Sequence, residues 1–218
     1  MIEAPIPENE SERLLALHSL GFLDTQREEQ FDRITRLALK LFKVPISTLT
    51  LVDKEREWFK SCQGLEARQG ARAISFCGHA MLADDIMVIP DARKDARFSD
   101  NPMVIGEPYI RFYAGVPILD IHGFRLGVFC IKDRAPRELS LDDQQLLKDL
   151  ASWAALELQV VQLHQQLFKH ESFRKVLEKE LERTRDMKRL IVDRELQMIK
   201  LKQRIEELQK KCEAAGKS

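Results

Sequence analysis

The chain has 218 residues, with 35 Lys+Arg against 35 Asp+Glu and a formal net charge of zero. That balance argues against a dedicated nucleic-acid or membrane-surface protein. No apolar run reaches the roughly 18 residues that a membrane-spanning helix needs. The N-terminal MIEAPIPENESER is acidic and proline-containing. It lacks the basic and apolar regions of a secretory signal, so the expected location is cytoplasmic. In a reducing compartment the four scattered cysteines, Cys62, Cys77, Cys130 and Cys212, are expected to be free thiols.

Composition divides the chain in two. Residues 159–218 hold one glycine, no proline, 15 Lys+Arg and 10 Asp+Glu, while the residues before them hold 20 and 25. An acidic, turn-rich globule is therefore expected over 1–160 and a long basic-leaning helix over 161–218.

Along the globule, SERLLALHSLGFLD predicts a helix capped by Ser11, with Leu14, Leu15 and Leu17 in apolar spacing and a stop at Gly21. EEQFDRITRLALKLF places Phe31, Ile34, Leu37, Ala38 and Leu41 on one core-facing stripe. PISTLTLVD alternates and is rich in β-formers, so it predicts a strand, and REWFKSCQGL predicts its hairpin partner. Ser75 caps a short helix, FCGHAMLAD, and IMVIPD is a strand. The polar loop DARKDARFSDNPMVIGEPYI follows, with room for one helical turn. RFYAGVPILD and RLGVFCIKD are strands joined through the turn signal His122-Gly123. Ser140 caps a helix that does not stop. Hairpin-linked strands, about six in all, between helices at both ends describe an α+β fold with an antiparallel sheet.

The tail carries heptads near its end. Ile191, Met198, Ile205 and Cys212 lie seven apart, with Leu201 and Leu208 at the d spacing and Arg194 breaking that row. Leu177 and Met187 keep the frame, whereas Leu167 and Leu181 fall beside it. Isolated helices are marginal in water, so pairing with another helix, as a coiled coil, is the expected state.

The globule resembles a GAF domain, the small-molecule sensor module of signalling proteins. The resemblance is carried by LHSLGFLDTQREEQFDRITRLA (17–38), PISTLTLVDKEREWFKSCQGL (45–65), ISFCGHAML (74–82), VIPDARKDARFSDNPMVIGEP (88–108), IRFYAGVPI (110–118) and GFRLGVFCIKDRAPRELS (123–140). It is similar to the branch often found before diguanylate cyclase or histidine kinase domains. The resemblance implies a six-stranded antiparallel sheet with terminal helices on one face and a ligand cavity on the other, under the inserted loop. It also implies dimerisation through terminal helices. The segment VDRELQMIKLKQRIEELQ (192–209) resembles a signalling-helix segment. One departure is Lys132, where an apolar residue is usual.

The stretch ISFCGHAML leaves several roles open for Cys77 and His79. Cys77 near a helix N-terminus is a candidate nucleophile. GAF-type free methionine sulfoxide reductases resemble this stretch in its Cys-Gly, but need further cysteines where FSDNPMVIGEPYIRFYAG has none. A resolving thiol would have to be Cys62 or Cys130. With Asp91, Cys77 and His79 offer only three of the four ligands that zinc needs. The Cys-His dipeptide of bilin-binding phytochromes is absent. The plainer alternatives are that Cys77 and Cys130 fill the core and that His79 bonds a backbone carbonyl. In the loop, Phe98 reads as an apolar anchor and Asp100-Asn101-Pro102 as a turn. Strand alternation puts Arg111 and Tyr113 on one face, suited to an anionic or planar ligand. The alternative is an ion pair of Arg111 with Asp91, Asp95 or Asp100. Of Trp58 and Phe59, one roofs the pocket and the other fills the core.

The candidate ligand-binding set is therefore Trp58, Cys77, His79, Asp91, Phe98, Asn101, Arg111, Tyr113 and Cys130. No catalytic or metal residue is assigned, and the sequence names no cofactor. The expected function is a cytoplasmic small-molecule sensor, not an enzyme. It would dimerise through its C-terminal helix and act through a signalling partner or as part of a longer chain, without nucleic acid or membrane. The alternatives are a partner-binding scaffold with an empty GAF body and a thiol enzyme.

Overall fold

The computed structural model describes residues 1–202, apart from the side chains of 191 and 192, and the helical backbone alone from 203 to 215. Helices α1 (Glu10–Ser19) and α2 (Glu29–Phe42) lead into strands β1 (Ile46–Val52), β2 (Arg56–Gln63) and β3 (Gln69–Ala71). After α3 (Phe76–Ala80) come β4 (Met87–Ile89), α4 (Pro102–Ile105), β5 (Phe112–Leu119), β6 (Arg125–Asp133) and α5 (Leu141–Ala215). The strands form one antiparallel sheet in the order β3-β2-β1-β6-β5-β4. This is the α+β arrangement that the GAF resemblance implies. β3, a three-residue edge strand of QGA, is too short to carry a period-2 signal.

The two faces of the sheet hold separate cores. On one, α1, α2 and the first turns of α5 bring Leu17, Phe31, Ile34, Leu147, Ala151 and Leu158 against Leu49, Leu51, Phe129 and Ile131. On the other, α3 and the segment through α4 cover Ile46, Tyr113, Val128 and Cys130 with Phe76, Cys77 and Phe98. A bulge where Leu49 and Thr50 pair with Ser61 and Phe59 decides which β2 residues face which side. It leaves Lys60 and Ser61 both toward the helices, where Ser61 Oγ donates to Asp32 at 2.6 Å. Gly127 lets β6 lie close to β1, since a Cβ there would meet the Thr50 carbonyl oxygen at 1.9 Å.

Several local expectations need correction. α1 starts after Asn9 with no side-chain cap, so Ser11 lies inside the helix. Leu15 is 71% exposed. In α2 the buried stripe is Phe31, Ile34, Thr35, Ala38 and Phe42. Leu37 and Leu41 sit one step around the helix at its edge and stay partly exposed. Ser75 and Ser140 do cap, accepting from the Gly78 and Asp143 amides at 3.1 Å. Gly123, with φ of 84°, turns β5 into β6.

The chain forms two compact units that divide between Leu163 and His164. In the second, Leu167, Phe173, Leu177, Leu181, Met187 and Met198 each leave half or more of their surface exposed. The side chains of Ile191, Ile205, Leu208 and Cys212, and all of Gly216, lie outside the described residues. No described helix is long and apolar enough to cross a membrane.

Candidate functional site

The inner face of the sheet, under α3 and the 91–109 segment, carries polar side chains in positions a purely structural core would fill with apolar ones. Strand alternation delivers them. β1 contributes Thr48 and Thr50, whose hydroxyls lie 2.8 Å apart. β6 contributes Cys130 and Lys132, and β2 contributes Glu57 and Phe59. β5 contributes Tyr113, buried completely. A Cβ at Gly115 would lie 2.4 Å from Tyr113 Oη, so this glycine gives the ring its place.

Ser75 ties the α3 cap to this group. Its hydroxyl accepts the Gly78 amide and donates to the Glu57 carboxyl. Cys77, in the first turn of α3, points down at the sheet. Its sulfur lies 3.7 Å from Cys130 Sγ and accepts from Tyr113 Oη at 3.5 Å. Thr48 Oγ1 is 3.0 Å from Cys130 Sγ. Above them Phe76 stacks on Tyr113, with centroids 5.2 Å apart, and on Phe98, at 4.2 Å. Lys132 is 3% exposed and its ammonium lies over the Phe59 ring, 5.5 Å from the centroid. Among the described residues, no hydrogen bond or ion pair reaches its Nζ.

The electrostatics follow from burial and these neighbours. Burial, with Cys77 adding to it, raises the Glu57 carboxyl to about 8 against the opposing Lys132 charge and the Ser75 hydrogen bond. Glu57 is therefore neutral at pH 7. Burial also pushes the Cys130 thiol up, but the Cys77 hydrogen bond, the Lys132 cation and Thr48 outweigh it and bring it down to about 6. Burial pushes the Cys77 thiol well up, and its contact with Cys130 pushes it further. The two sulfurs titrate as a coupled pair, with Cys77 pushed up and Cys130 brought down. Burial disfavours the Lys132 cation, yet Cys130, Cys77 and Glu57 together raise its pKa. The interior thus holds an ammonium balanced through space by a sulfur two residues along the same strand.

Of the sequence candidates, the structure brings Cys77, Tyr113 and Cys130 together, with Phe98 one layer above. Trp58 belongs to the helix-facing core, flanked by the Arg56 and Arg68 guanidiniums at 5.5 and 5.0 Å, and Phe59 is its inward-facing neighbour. His79 is half-buried at the outside of α3. Its Nε2 donates to the Ile2 carbonyl at 3.0 Å, the plainer role weighed for it. Burial lowers its pKa more than that hydrogen bond raises it. Asp91 caps the following 3-10 turn and pairs with Arg93 at 2.8 Å. Asn101 is buried but structural, capping α4 and donating to the Ile74 carbonyl at 2.7 Å.

Arg111 overturns the alternation argument. The strand begins at Phe112, so Arg111 precedes it, and its guanidinium donates to the Val104 and Ile110 carbonyls at 2.7 and 3.1 Å. It joins neither the interior nor an ion pair with Asp91, Asp95 or Asp100. Sequence reasoning did not select Glu57, Ser75, Thr48 or Lys132 for the site. The available signal was Lys132 closing the apolar run LGVFCI of β6, whereas Glu57 lies in a strand that also carries Arg56 and Lys60.

Open clefts lie elsewhere. One of about 620 Å³ is lined by Asp91, Arg93, Lys94 and Arg137, but Asp91 and Arg93 already pair with each other and Arg137 pairs with Asp133. The polar interior is closed.

The comparisons with known proteins agree with this architecture. A cyclic di-GMP phosphodiesterase of Pseudomonas aeruginosa is 42% identical over 137 residues, 63% of this chain and 23% of that one. The chain thus spans less than a quarter of the length of that curated relative. The GAF domain of an Acinetobacter phosphoenolpyruvate-protein phosphotransferase superposes with a TM-score of 0.51 at 17% identity, over 70% of this chain and 93% of that one. A type II free methionine-R-sulfoxide reductase from Thermoplasma acidophilum does so with a TM-score of 0.50 at 15% identity, over 59% and 89%. At such identities these structures share the fold alone. The sequence profile of the GAF domain matches residues 26–158, more than half of the chain, and the protein belongs to the GAF-domain family.

Proposed function

We propose that this chain is a small-molecule sensor, not an enzyme, whose inner sheet face takes a ligand bearing an anionic group. The observation that carries the reading is Lys132. Burying an ammonium costs several kcal/mol unless it is paired and hydrogen-bonded, and this one has no hydrogen bond and no contact ion pair within the described residues, only the through-space balance of Cys130. A carboxylate or phosphate oxygen of a ligand would supply both. Glu57, neutral at pH 7, can donate a hydrogen bond as a carboxylic acid, and Tyr113 offers a second hydroxyl. α3 and the 91–109 segment form the cover that must move for entry. β6, which carries both Cys130 and Lys132, is joined to α5 by the short segment 134–140, so occupancy can bias the helix.

The match to one stretch of a cyclic di-GMP phosphodiesterase supports reading the domain as an input module for a signalling output. The exposed apolar residues of 164–202 support dimerisation through α5. A second reading, a partner-binding scaffold with an empty body, draws on the closed interior and its Phe98–Phe76–Tyr113 stack.

Native mass spectrometry of freshly purified protein, repeated after denaturation, separates the two. The sensor reading expects a dimer carrying a reproducible small-molecule mass that leaves on denaturation. A dimer of bare chains favours the scaffold. Deleting 165–218 is expected to give monomers, and a truncated chain that dimerises equally well would remove α5 from the interface.

A further inference from the structure

We propose that Cys77 and Cys130 are a redox-active thiol pair that a small two-electron oxidant of the peroxide class converts to a disulfide, locking α3 onto β6. This goes beyond ligand sensing and does not depend on which molecule the interior takes.

The geometry is already that of a pair. The sulfurs lie 3.7 Å apart, in contact, on two segments 53 residues apart in sequence. A disulfide needs them at about 2 Å, a small closing movement for α3, which has only five residues. Both sulfurs have a partner suited to the chemistry. Cys130 sits beside the Lys132 cation, two positions along the strand on the same face, with Thr48 Oγ1 at 3.0 Å. This is the setting that favours a thiolate. Cys77 keeps its proton and holds the hydrogen bond from Tyr113 Oη. Cys62 is buried on the same side of the sheet, but its sulfur is turned to the Leu65 carbonyl at 3.7 Å. The structure therefore selects one partner for Cys77 where the sequence offered two.

The chemistry balances without a further reagent. The Cys130 thiolate attacks one peroxide oxygen and the O–O bond breaks. Cys130 becomes a sulfenic acid, and the departing hydroxide takes up the proton that the thiol had released, giving water. The Cys77 sulfur then attacks the Cys130 sulfur, forming the S–S bond and breaking the S–OH bond. The hydroxide that leaves takes the Cys77 proton as a second water. Two thiols and one peroxide give one disulfide and two waters.

Burial sets the class of oxidant. Both cysteines are fully buried, so the reactant must be small enough to enter through local opening of the cover. Bulky alkylating reagents should be slow on the folded chain.

The test uses the full chain. Folded protein is treated with hydrogen peroxide, quenched, denatured and alkylated with iodoacetamide, then digested with trypsin. The expected result is a disulfide between the peptides 73–93 and 126–132, reversed by dithiothreitol, with Cys62 and Cys212 still alkylated. In Cys77→Ser the cross-link disappears and dimedone traps a sulfenic acid on Cys130. Four alkylated cysteines after excess peroxide would overturn the proposal. So would disulfides that engage Cys62 or Cys212 in place of this pair. The wild-type result decides the question even if the variant folds poorly, and it leaves ligand binding untouched either way.

Discussion

Two lysines, one on each face of the sheet, describe the molecule's division of labour. Lys60 is fully buried on the helix-facing side and fully employed. Its ammonium donates to Thr25 Oγ1 at 2.7 Å, to the Gln26 carbonyl and to the Glu28 carboxylate, and it lies over the rings of Phe22 and Phe31. Lys132 is nearly as deeply buried on the inner side, with the Phe59 ring beside it and Cys130 two positions along the strand, but no hydrogen bond to its ammonium among the described residues. The first is a structural group whose desolvation is offset by its partners. The second has no hydrogen bond, and its desolvation is answered only through space, by Cys130 first and then Cys77 and Glu57. A buried charge without a hydrogen bond is uncommon in a purely structural core, and that contrast is the reason we propose function for the inner face.

Removing each charge in turn gives the sharpest test of the contrast. Lys132→Met removes an ammonium that has no hydrogen bond to lose, so the variant is expected to change stability by less than Lys60→Met does. Lys60→Met leaves the Thr25 and Gln26 oxygens without their donor and is expected to be less stable by about 1–3 kcal/mol. Urea unfolding of both variants reads the two changes. A loss at Lys132 as large as that at Lys60 would break the comparison.

A smaller effect concerns Glu57. Its folded carboxyl sits at about 8 against an ordinary 4.5, so between those values the folded state keeps a proton that the unfolded chain releases. The contribution is fully present below pH 4.5 and is lost as pH rises to 8, by roughly 1.4 kcal/mol per pH unit at most. The lowered Cys130 acts in the opposite sense, since its contribution is lost as pH falls from its ordinary 9.0 toward about 6. Comparing wild type with Glu57→Gln isolates the carboxyl. The wild-type unfolding midpoint is expected to fall relative to the variant between pH 4.5 and 6, before the thiol enters. Parallel profiles would mean that Glu57 is ionised in the fold.

The architecture was legible in the sequence because periodicity reports burial. Phe31, Ile34 and Ala38 repeat at helical spacing, PISTLTLVD alternates, and Ser75 and Ser140 sit where caps belong. The site was legible only where alternation continued through a regular strand, as at Tyr113 and Cys130. Arg111 was misread because the strand starts one residue later, and a side chain outside the ladder follows loop geometry. Trp58 and Phe59 alternate, so the sequence leaves open which of them faces the helices, and only the pairing of β2 with β1 decides that. His79 and Asp91 satisfy their own neighbours through local turns. Lys132 departs from the family's pattern in the sequence, but only the structure shows that its buried ammonium has no hydrogen bond among the described residues.

The central claim is that Lys132 awaits an anionic ligand. The most direct measurement is a thermal-shift titration of a metabolite collection rich in carboxylates and phosphates, against wild type and Lys132→Met in parallel. The account predicts at least one compound that raises the melting temperature of wild type and leaves that of Lys132→Met unchanged. A compound that shifts both equally, or a wild type that responds to none, would contradict it.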